Sequence, residues 1–248
     1  MATHSTSPDQ QRFIGRLQQA LADGAGDRRP GRPGSIYRKQ GPVKTRSRPE
    51  QLALLDRLVA ESAPINQRVA VHPEAASVAR GISELVAEKD PEWGDEKHVV
   101  AWRHPLVEAL SLPDVLQGVG ASMSYAASAG TDDRETVRQQ IFKAYVGITS
   151  ADFCLADSAT LVMKSRPGQN RSVSLVPSIH IAVIRLEQIL ANLKELYYIL
   201  DNDPVHVKEG LTPCMTFVSG PSKTADIEAT MVHGAHGPRE VHLFVITG

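Results

Sequence analysis

Cysteine is scarce in this chain: Cys154 and Cys214 are the only two among 248 residues. They form no C-x-x-C pair, so the chain alone cannot hold an all-cysteine iron–sulfur cluster or a four-thiolate zinc. At most one disulfide is possible, and the expected setting is a reducing cytoplasm with both thiols free. Aromatic residues make up 5% of the sequence, too few for an extended base-stacking platform. No apolar run reaches the roughly 18 residues that mark a membrane span. Residues 1–11 are polar and lack an apolar core, so they do not read as a secretory leader. The formal net charge of -1, from 27 Lys+Arg against 28 Asp+Glu, argues against a generally basic nucleic-acid binder and against a polyelectrolyte.

What is present is ordinary globular composition, 42% hydrophobic and 22% charged, at a length that buries a core without staples. The charge is uneven. Between Gly24 and Arg48 stand Arg28, Arg29, Arg32, Arg38, Lys39, Lys44, Arg46 and Arg48 against Asp27 alone, interleaved with Pro30, Pro33 and Pro42. Residues 1–48 therefore read as an N-terminal amphipathic helix, carried by Phe13, Leu17, Ala20 and Leu21, followed by a basic Pro/Gly-rich arm. The arm is either solvated or a docking segment for an acidic surface.

Residues 49–248 read as one α/β domain. Pro49 opens a helix with an apolar stripe at Leu52, Leu55, Leu58 and Val59. Apolar periodicity then predicts strands at 68–71, 97–102, 153–156, 160–163, 171–176, 179–184, 215–218 and 241–246. It predicts helices at 74–88, 106–110, 132–144, 187–200 and 224–233. Strands separated by helices imply a Rossmann-like, mostly parallel sheet, with a local antiparallel or mixed insertion where strands crowd between 153 and 184.

Three stretches carry candidate chemistry. The first is the loop after strand 215–218, with Ser219, Gly220, Pro221, Ser222, Lys223 and Thr224 leading into Asp226 and Glu228. A strand, a glycine-containing loop and a helix start would present N–H groups, hydroxyls and an ammonium to an anion. The same residues would equally serve as a capped tight turn, with Asp226 and Glu228 answering the helix dipole. The spacing is neither that of a Walker A loop nor G-x-G-x-x-G. His233 and His236 flank Gly234 and Ala235, but no third ligand stands at a diagnostic spacing, so His236 reads as a turn or pocket residue rather than a metal ligand. The second stretch places Asp157, Ser158 and Thr160 at a turn between two strands, as a pocket floor or as a self-bonded turn. The third ends at His180, a core or rim histidine. Cys154 reads as a buried, inert thiol. No G-x-S-x-G elbow is present, and no catalytic motif is identified.

Five segments occur in order: Gly147-Ile-Thr-Ser-Ala-Asp152, Leu155-Ala-Asp-Ser-Ala-Thr-Leu-Val162, Ser174-Leu-Val-Pro-Ser-Ile-His180, Gly220-Pro-Ser-Lys-Thr-Ala-Asp-Ile-Glu228 and Gly234-Ala-His-Gly-Pro238. Together they resemble the LUD domain of the lactate-utilisation protein C family, by motif over about 132–248 and by general pattern over 49–131. The resemblance departs at 157–160, where family members commonly carry Glu-Thr-Gly-Thr. It implies a fold like the NagB/RpiA/CoA-transferase group. It also implies a part in a cytoplasmic complex of three proteins that oxidises L-lactate to pyruvate. The iron–sulfur clusters would sit in the two partner proteins and no cofactor in this chain. The expected function is thus a non-redox subunit or accessory protein of lactate oxidation. It would bind iron–sulfur partners and a small carboxylate or phosphate, with no nucleic acid and no membrane span expected. The expected ligand-binding residues are Gly220, Ser222, Lys223, Thr224, Asp226, Glu228, His236, Asp157, Ser158, Thr160 and His180. The alternatives are a stand-alone acyl/CoA-transferase-like or sugar-phosphate-isomerase-like enzyme, for which Glu228 is the nearest nucleophile, and a regulatory module working through the basic arm.

Overall fold

A computed structural model describes residues 8–23, 45–92, 94–126, 133–209, 214–225 and 231–248. The chain divides into two units, residues 1–41 and 42–248. The first contains helix α1 (Pro8–Asp23), with proline and Asp9 in its first turn and exposed Phe13 and Ile14. Most of the basic arm lies outside the described residues. Its last cations belong to the second unit: Arg46 pairs with Glu195, and Arg48 donates to the carbonyl of Thr247.

In the second unit, α2 (Arg48–Ser62) begins with Pro49 in its first turn, and the Glu50 carboxylate accepts from the Ser47 N–H at 2.9 Å. Leu55 and Leu58 are buried, while Leu52 and Val59 stay exposed. A short 3-10 turn and a left-handed Asn66 feed β1 (Gln67–His72). Next come α3 (Ala75–Glu88), β2 (His98–Ala101), the short α4 (Pro105–Glu108) and α5 (Leu112–Gln117), and β3 (Ser122–Tyr125). Helix α6 (Asp133–Lys143) returns the chain to β4 (Val146–Ser150), followed by β5 (Phe153–Leu155), β6 (Thr160–Lys164) and β7 (Ile179–Arg185). The remainder is β8 (Ile189–Leu190), α7 (Leu193–Asn202), α8 (Pro204–Glu209), β9 (Met215–Val218), β10 (Lys223–Ala225), β11 (Met231–His233) and β12 (Glu240–Ile246).

Six strands form a fully parallel sheet in the order β1-β12-β7-β4-β2-β3. Four more form a mixed sheet, β8-β5-β6-β9, and β10 pairs with β11 as an antiparallel hairpin. The fold class is therefore the expected α/β class with a mixed insertion. One face of the parallel sheet packs Val99, Ile148, Ile181 and Phe244 against Val78, Ile82, Leu112 and Leu116 of the helices. The other packs Val100, Ala182, Ile184 and Leu243 against Leu58, Ile141, and Leu161 and Met163 of the mixed sheet. Alternation along each strand makes both faces apolar, as a sheet covered on both sides requires.

Three predicted elements change identity. Residues Arg171–Ser174 form a 3-10 turn instead of a strand. A Cβ on Gly147 would stand 1.9 Å from the Val173 carbonyl oxygen, so this turn rests directly on the bare backbone of β4. Helix α7 starts only at Leu193, because Ile189 and Leu190 pair with β5 and Asn192 caps the helix by accepting from the Glu195 N–H at 3.1 Å. The described residues of the predicted helix over 224–233 pair as antiparallel strands instead, with Lys223 opposite His233 and Ala225 opposite Met231. Strands β3 and β4 add to the predicted set.

Candidate functional site

The first predicted loop does not open at the carboxyl end of a parallel strand. Strand β9 belongs to the mixed sheet, and the loop runs through the hairpin into the start of β12. It therefore stands at the amino-terminal rim of the parallel sheet. No helix begins at Thr224, so the argument from a helix dipole falls. Asp226 and Glu228 lie outside the described residues.

The structure nevertheless joins several of the predicted turns. Thr160 Oγ1 lies 2.9 Å from Ser158 Oγ and 2.8 Å from Ser219 Oγ, which links the 157–160 turn to the end of β9. Gly220 follows with φ 74°, a left-handed conformation suited to glycine, and its missing Cβ would sit 2.5 Å from the Ile65 carbonyl oxygen. Its N–H donates to Gln67 Oε1 at 3.3 Å. The Ser222 N–H donates to the Pro238 carbonyl at 2.8 Å, the Gly234 N–H to the Ser222 carbonyl at 3.0 Å, and the His236 N–H to Ser222 Oγ at 3.4 Å. Ser222 thus ties the hairpin to the 234–238 turn. Asp157 is half-buried, while Ser158, Lys223 and His236 are exposed. Among the described residues, no group of three His, Cys, Asp or Glu side chains is placed to hold a metal ion.

His180 stands apart from these turns. It is fully buried in β7, its Nε2 lies 2.8 Å from Thr149 Oγ1, and its Nδ1 has no partner among the described residues. Burial, with the nearby His242 adding to it, lowers its pKa to about 4.

Two clefts flank the rim and share Arg239. One, of about 540 Å³, is lined by Asn66, Gln67, Arg68, Pro221, Arg239 and Glu240 among others. The other, of about 630 Å³, is lined by Glu92, Asp95, Glu96, Phe142 and Lys143 as well as Gly237. Arg239 Nη1 pairs with Glu92 Oε1 at 2.7 Å, and Glu92 also accepts from Ser178. Burial opposes the ionised form of Glu240. Hydrogen bonds from His242 at 3.0 Å and Lys89 at 3.0 Å, with Arg68 close by, outweigh it and hold the carboxyl below its usual range.

A second polar cluster was not visible in the sequence. From β2 the chain moves outward to β3, whereas from β4 it moves inward to β7, so the sheet has its topological switch between β2 and β4. Ligands of open α/β sheets favour the crevice beyond the carboxyl ends at such a point. His104 follows β2 there and Asp152 follows β4. Asp152 Oδ2 accepts from the Lys164 N–H at 2.7 Å, and its Oδ1 pairs with Arg166 at 2.7 Å. Arg166 also reaches Glu209 Oε1 at 2.6 Å, and Lys164 Nζ, in a side chain only 3% exposed, reaches Glu209 Oε2 at 2.8 Å and His206 Nδ1 at 3.0 Å. The Arg166 hydrogen bond, against a burial penalty and with help from Lys164, holds Glu209 down at about 2. Burial and then the Lys164 charge lower His206, and its Nδ1 accepts from the Lys164 ammonium, which can only donate. Burial likewise lowers His104, whose Nδ1 accepts from the Leu106 N–H at 3.2 Å. These charges satisfy one another and pin α8 onto the mixed sheet. Only Asp152 was near a predicted stretch. The signal for the rest would have been Lys164, a lysine closing an otherwise apolar strand.

The two thiols differ. Burial pushes Cys154 well up, as expected for an inert core residue. Cys214 is half-buried and shifted down by the Thr216 hydroxyl and by Arg171, whose Nη1 is 3.4 Å from its sulfur.

A parallel α/β sheet covered on one face by helices and on the other by a mixed sheet, with joined turns at one rim, defines the class of protein. The LUD domain profile matches residues 55–246 of this sequence, and the chain belongs to the LUD domain family. Its relatives include proteins called lactate utilization protein C. That of Shouchella clausii is 32% identical over 187 residues, covering 73% of this chain and 76% of the relative. That of Halalkalibacterium halodurans is 34% identical over 146 residues, 57% of this chain and 59% of the relative. That of Bacillus velezensis is 39% identical over 98 residues, 39% of each chain. A crystal structure of a DUF162 family protein from Deinococcus radiodurans matches 82% of this chain and 100% of that one, with 18% identity and a TM-score of 0.49. Among the described residues, no helix is long and apolar enough to cross a membrane.

Proposed function

We propose that this chain serves lactate utilisation as a non-redox component of a system that oxidises L-lactate to pyruvate. In this reading iron–sulfur partner proteins carry the electrons, and this chain holds a small carboxylate at the rim formed by the 157–160, 219–222 and 234–239 turns. The observation that carries the reading is the joining of these turns beside a cleft that contains Arg68 and Arg239. The family supports the lactate role, and the scarcity of cysteine supports the assignment of redox chemistry to partners. Isolation of the tagged full-length chain from its native cell, followed by iron analysis and a lactate-dependent dye-reduction assay, tests the proposal. The expected outcome is co-purifying iron–sulfur protein whose lactate oxidation is lost when this chain is removed. Lactate turnover by the chain alone would overturn it and favour the stand-alone enzyme.

A further inference from the structure

We infer that the open cleft along residues 165–176 is a binding site for an adenine nucleotide, separate from the rim turns and independent of the lactate reading. The cleft, of about 430 Å³, is lined by Arg166, Gln169, Arg171, Ser172, Leu175 and Val176 among others. That volume lies within the roughly 300–1,000 Å³ of small-molecule sites. The turn that carries Gln169 is held at three successive residues. The Arg103 N–H donates to the Gly168 carbonyl at 3.0 Å, the Gln169 N–H to the Arg166 carbonyl at 2.9 Å, and Trp102 Nε1 to the Asn170 carbonyl at 2.8 Å.

Gln169 is 8% exposed, and its Oε1 is a buried acceptor without a partner among the described residues. A buried carbonyl left without a donor costs free energy, which a ligand N–H recovers. No carboxylate stands among the residues that line the cleft, and its two arginines differ. Arg166 is spent: it pairs with Asp152 at 2.7 Å and with Glu209 at 2.6 Å. Arg171 is exposed and makes no ion pair with a carboxylate among the described residues; its Nη1 rests 3.4 Å from Cys214 Sγ. A guanidinium has five N–H donors, so Arg171 keeps capacity for an anion. Leu175 and Val176, 37% and 41% exposed, give the same cleft an apolar edge.

A ligand that answers all three features carries an anionic group, an N–H donor and a broad apolar face. Inorganic phosphate and simple carboxylates lack the donor and the face. A primary amide reads adenine by a paired contact, its oxygen accepting from the amino group while its nitrogen donates to the adjacent ring nitrogen. The Gln169 amide has its Oε1 acceptor beside the Nε2 donors that such a contact requires. Adenine at Gln169, against Leu175 and Val176, leaves its phosphate to Arg171, two residues along the chain. There the guanidinium makes charge-assisted hydrogen bonds, which are the strong ones.

Calorimetric titration of the purified full chain with AMP, adenosine and ribose 5-phosphate tests this. AMP should bind at least about tenfold more tightly than either fragment, since each fragment forfeits one of the two contacts. Arg171→Gln, at an exposed side chain, should bring AMP down to the level of adenosine. Gln169→Leu should bring it down to the level of ribose 5-phosphate; leucine is close to glutamine in shape and removes the unpaired carbonyl, so the fold is kept. A second measurement needs no variant. Saturating AMP should slow the labelling of Cys214 by a neutral thiol reagent several-fold, because the phosphate engages the guanidinium beside that sulfur. No AMP binding, equal binding of AMP and ribose 5-phosphate, unchanged affinity in folded Gln169→Leu or Arg171→Gln, or labelling of Cys214 indifferent to AMP would overturn the inference. None of those outcomes touches co-purification with iron–sulfur partners, which judges the lactate role separately.

Discussion

Gly220 and Gln67, separated by 153 residues, are joined by one hydrogen bond of 3.3 Å that locks the rim loop onto the first residue of β1. The loop can approach that closely because Gly220 has neither a side chain nor an objection to φ 74°. Gly220→Ala places a methyl against the Ile65 carbonyl in a left-handed conformation. It should cost about 3 kcal/mol, from roughly 1–2 for the conformation and the rest for the collision. Urea unfolding checks this. An unchanged midpoint would mean that the loop is not anchored at Gln67.

His180 makes stability fall in mild acid. Its pKa of about 4 in the folded protein lies below the roughly 6.5 of an unfolded histidine. Between these values the unfolded chain binds the proton and the folded chain does not, so stability is complete above about pH 6.5 and declines as pH falls toward 4. At about 1.4 kcal/mol per pH unit the loss is on the order of 3 kcal/mol. Urea midpoints across this range should drop, and His180→Gln should flatten the curve.

Lys164 and Glu209 form a pair in which one member is almost wholly buried. Glu209→Ala leaves the ammonium without its carboxylate and should destabilise by about 3 kcal/mol, since a buried charge stripped of its partner is costly. Adding Lys164→Met should restore part of that loss. A double-mutant cycle with zero coupling would show the two charges to be independent.

The cysteines should label in sequence. A neutral thiol reagent should modify one thiol in the native protein, at Cys214, and both in urea, because Cys154 is completely enclosed. Arg171→Ala should slow the native reaction near neutral pH by removing a cation that favours the thiolate. Two rapidly reacting thiols in the native state would contradict the packing of β5.

The framework of β1, α3, β2, β7 and β12 was legible because the strands carry short apolar runs and α3 an apolar helical period. β4 was not. Val-Gly-Ile-Thr-Ser has no alternation, and its glycine looks like a breaker until Val173 is seen resting on it. The Arg171–Ser174 turn has the polar–apolar alternation of a strand but spends it on that contact. At the site, short-range features such as Gly220, Ser222 and the 157–160 turn were readable. Ala159 adopts φ 48°, a left-handed conformation at a residue other than glycine, which its own identity does not announce. The pairing of Lys164 and Arg166 with Glu209, and of Gln67 with Gly220, spans more than 40 residues in each case. Such contacts are products of topology and leave no spacing to read.

The central claim is the proposal that the rim beside Gln67 holds a small carboxylate. Its most direct measurement is the side-chain amide resonance of Gln67 in ¹⁵N-labelled protein, assigned by its disappearance in Gln67→Leu. Addition of L-lactate should shift that resonance in a saturable way, while an equal concentration of chloride leaves it in place. A Gln67 signal that stays fixed while lactate moves resonances elsewhere would contradict the account.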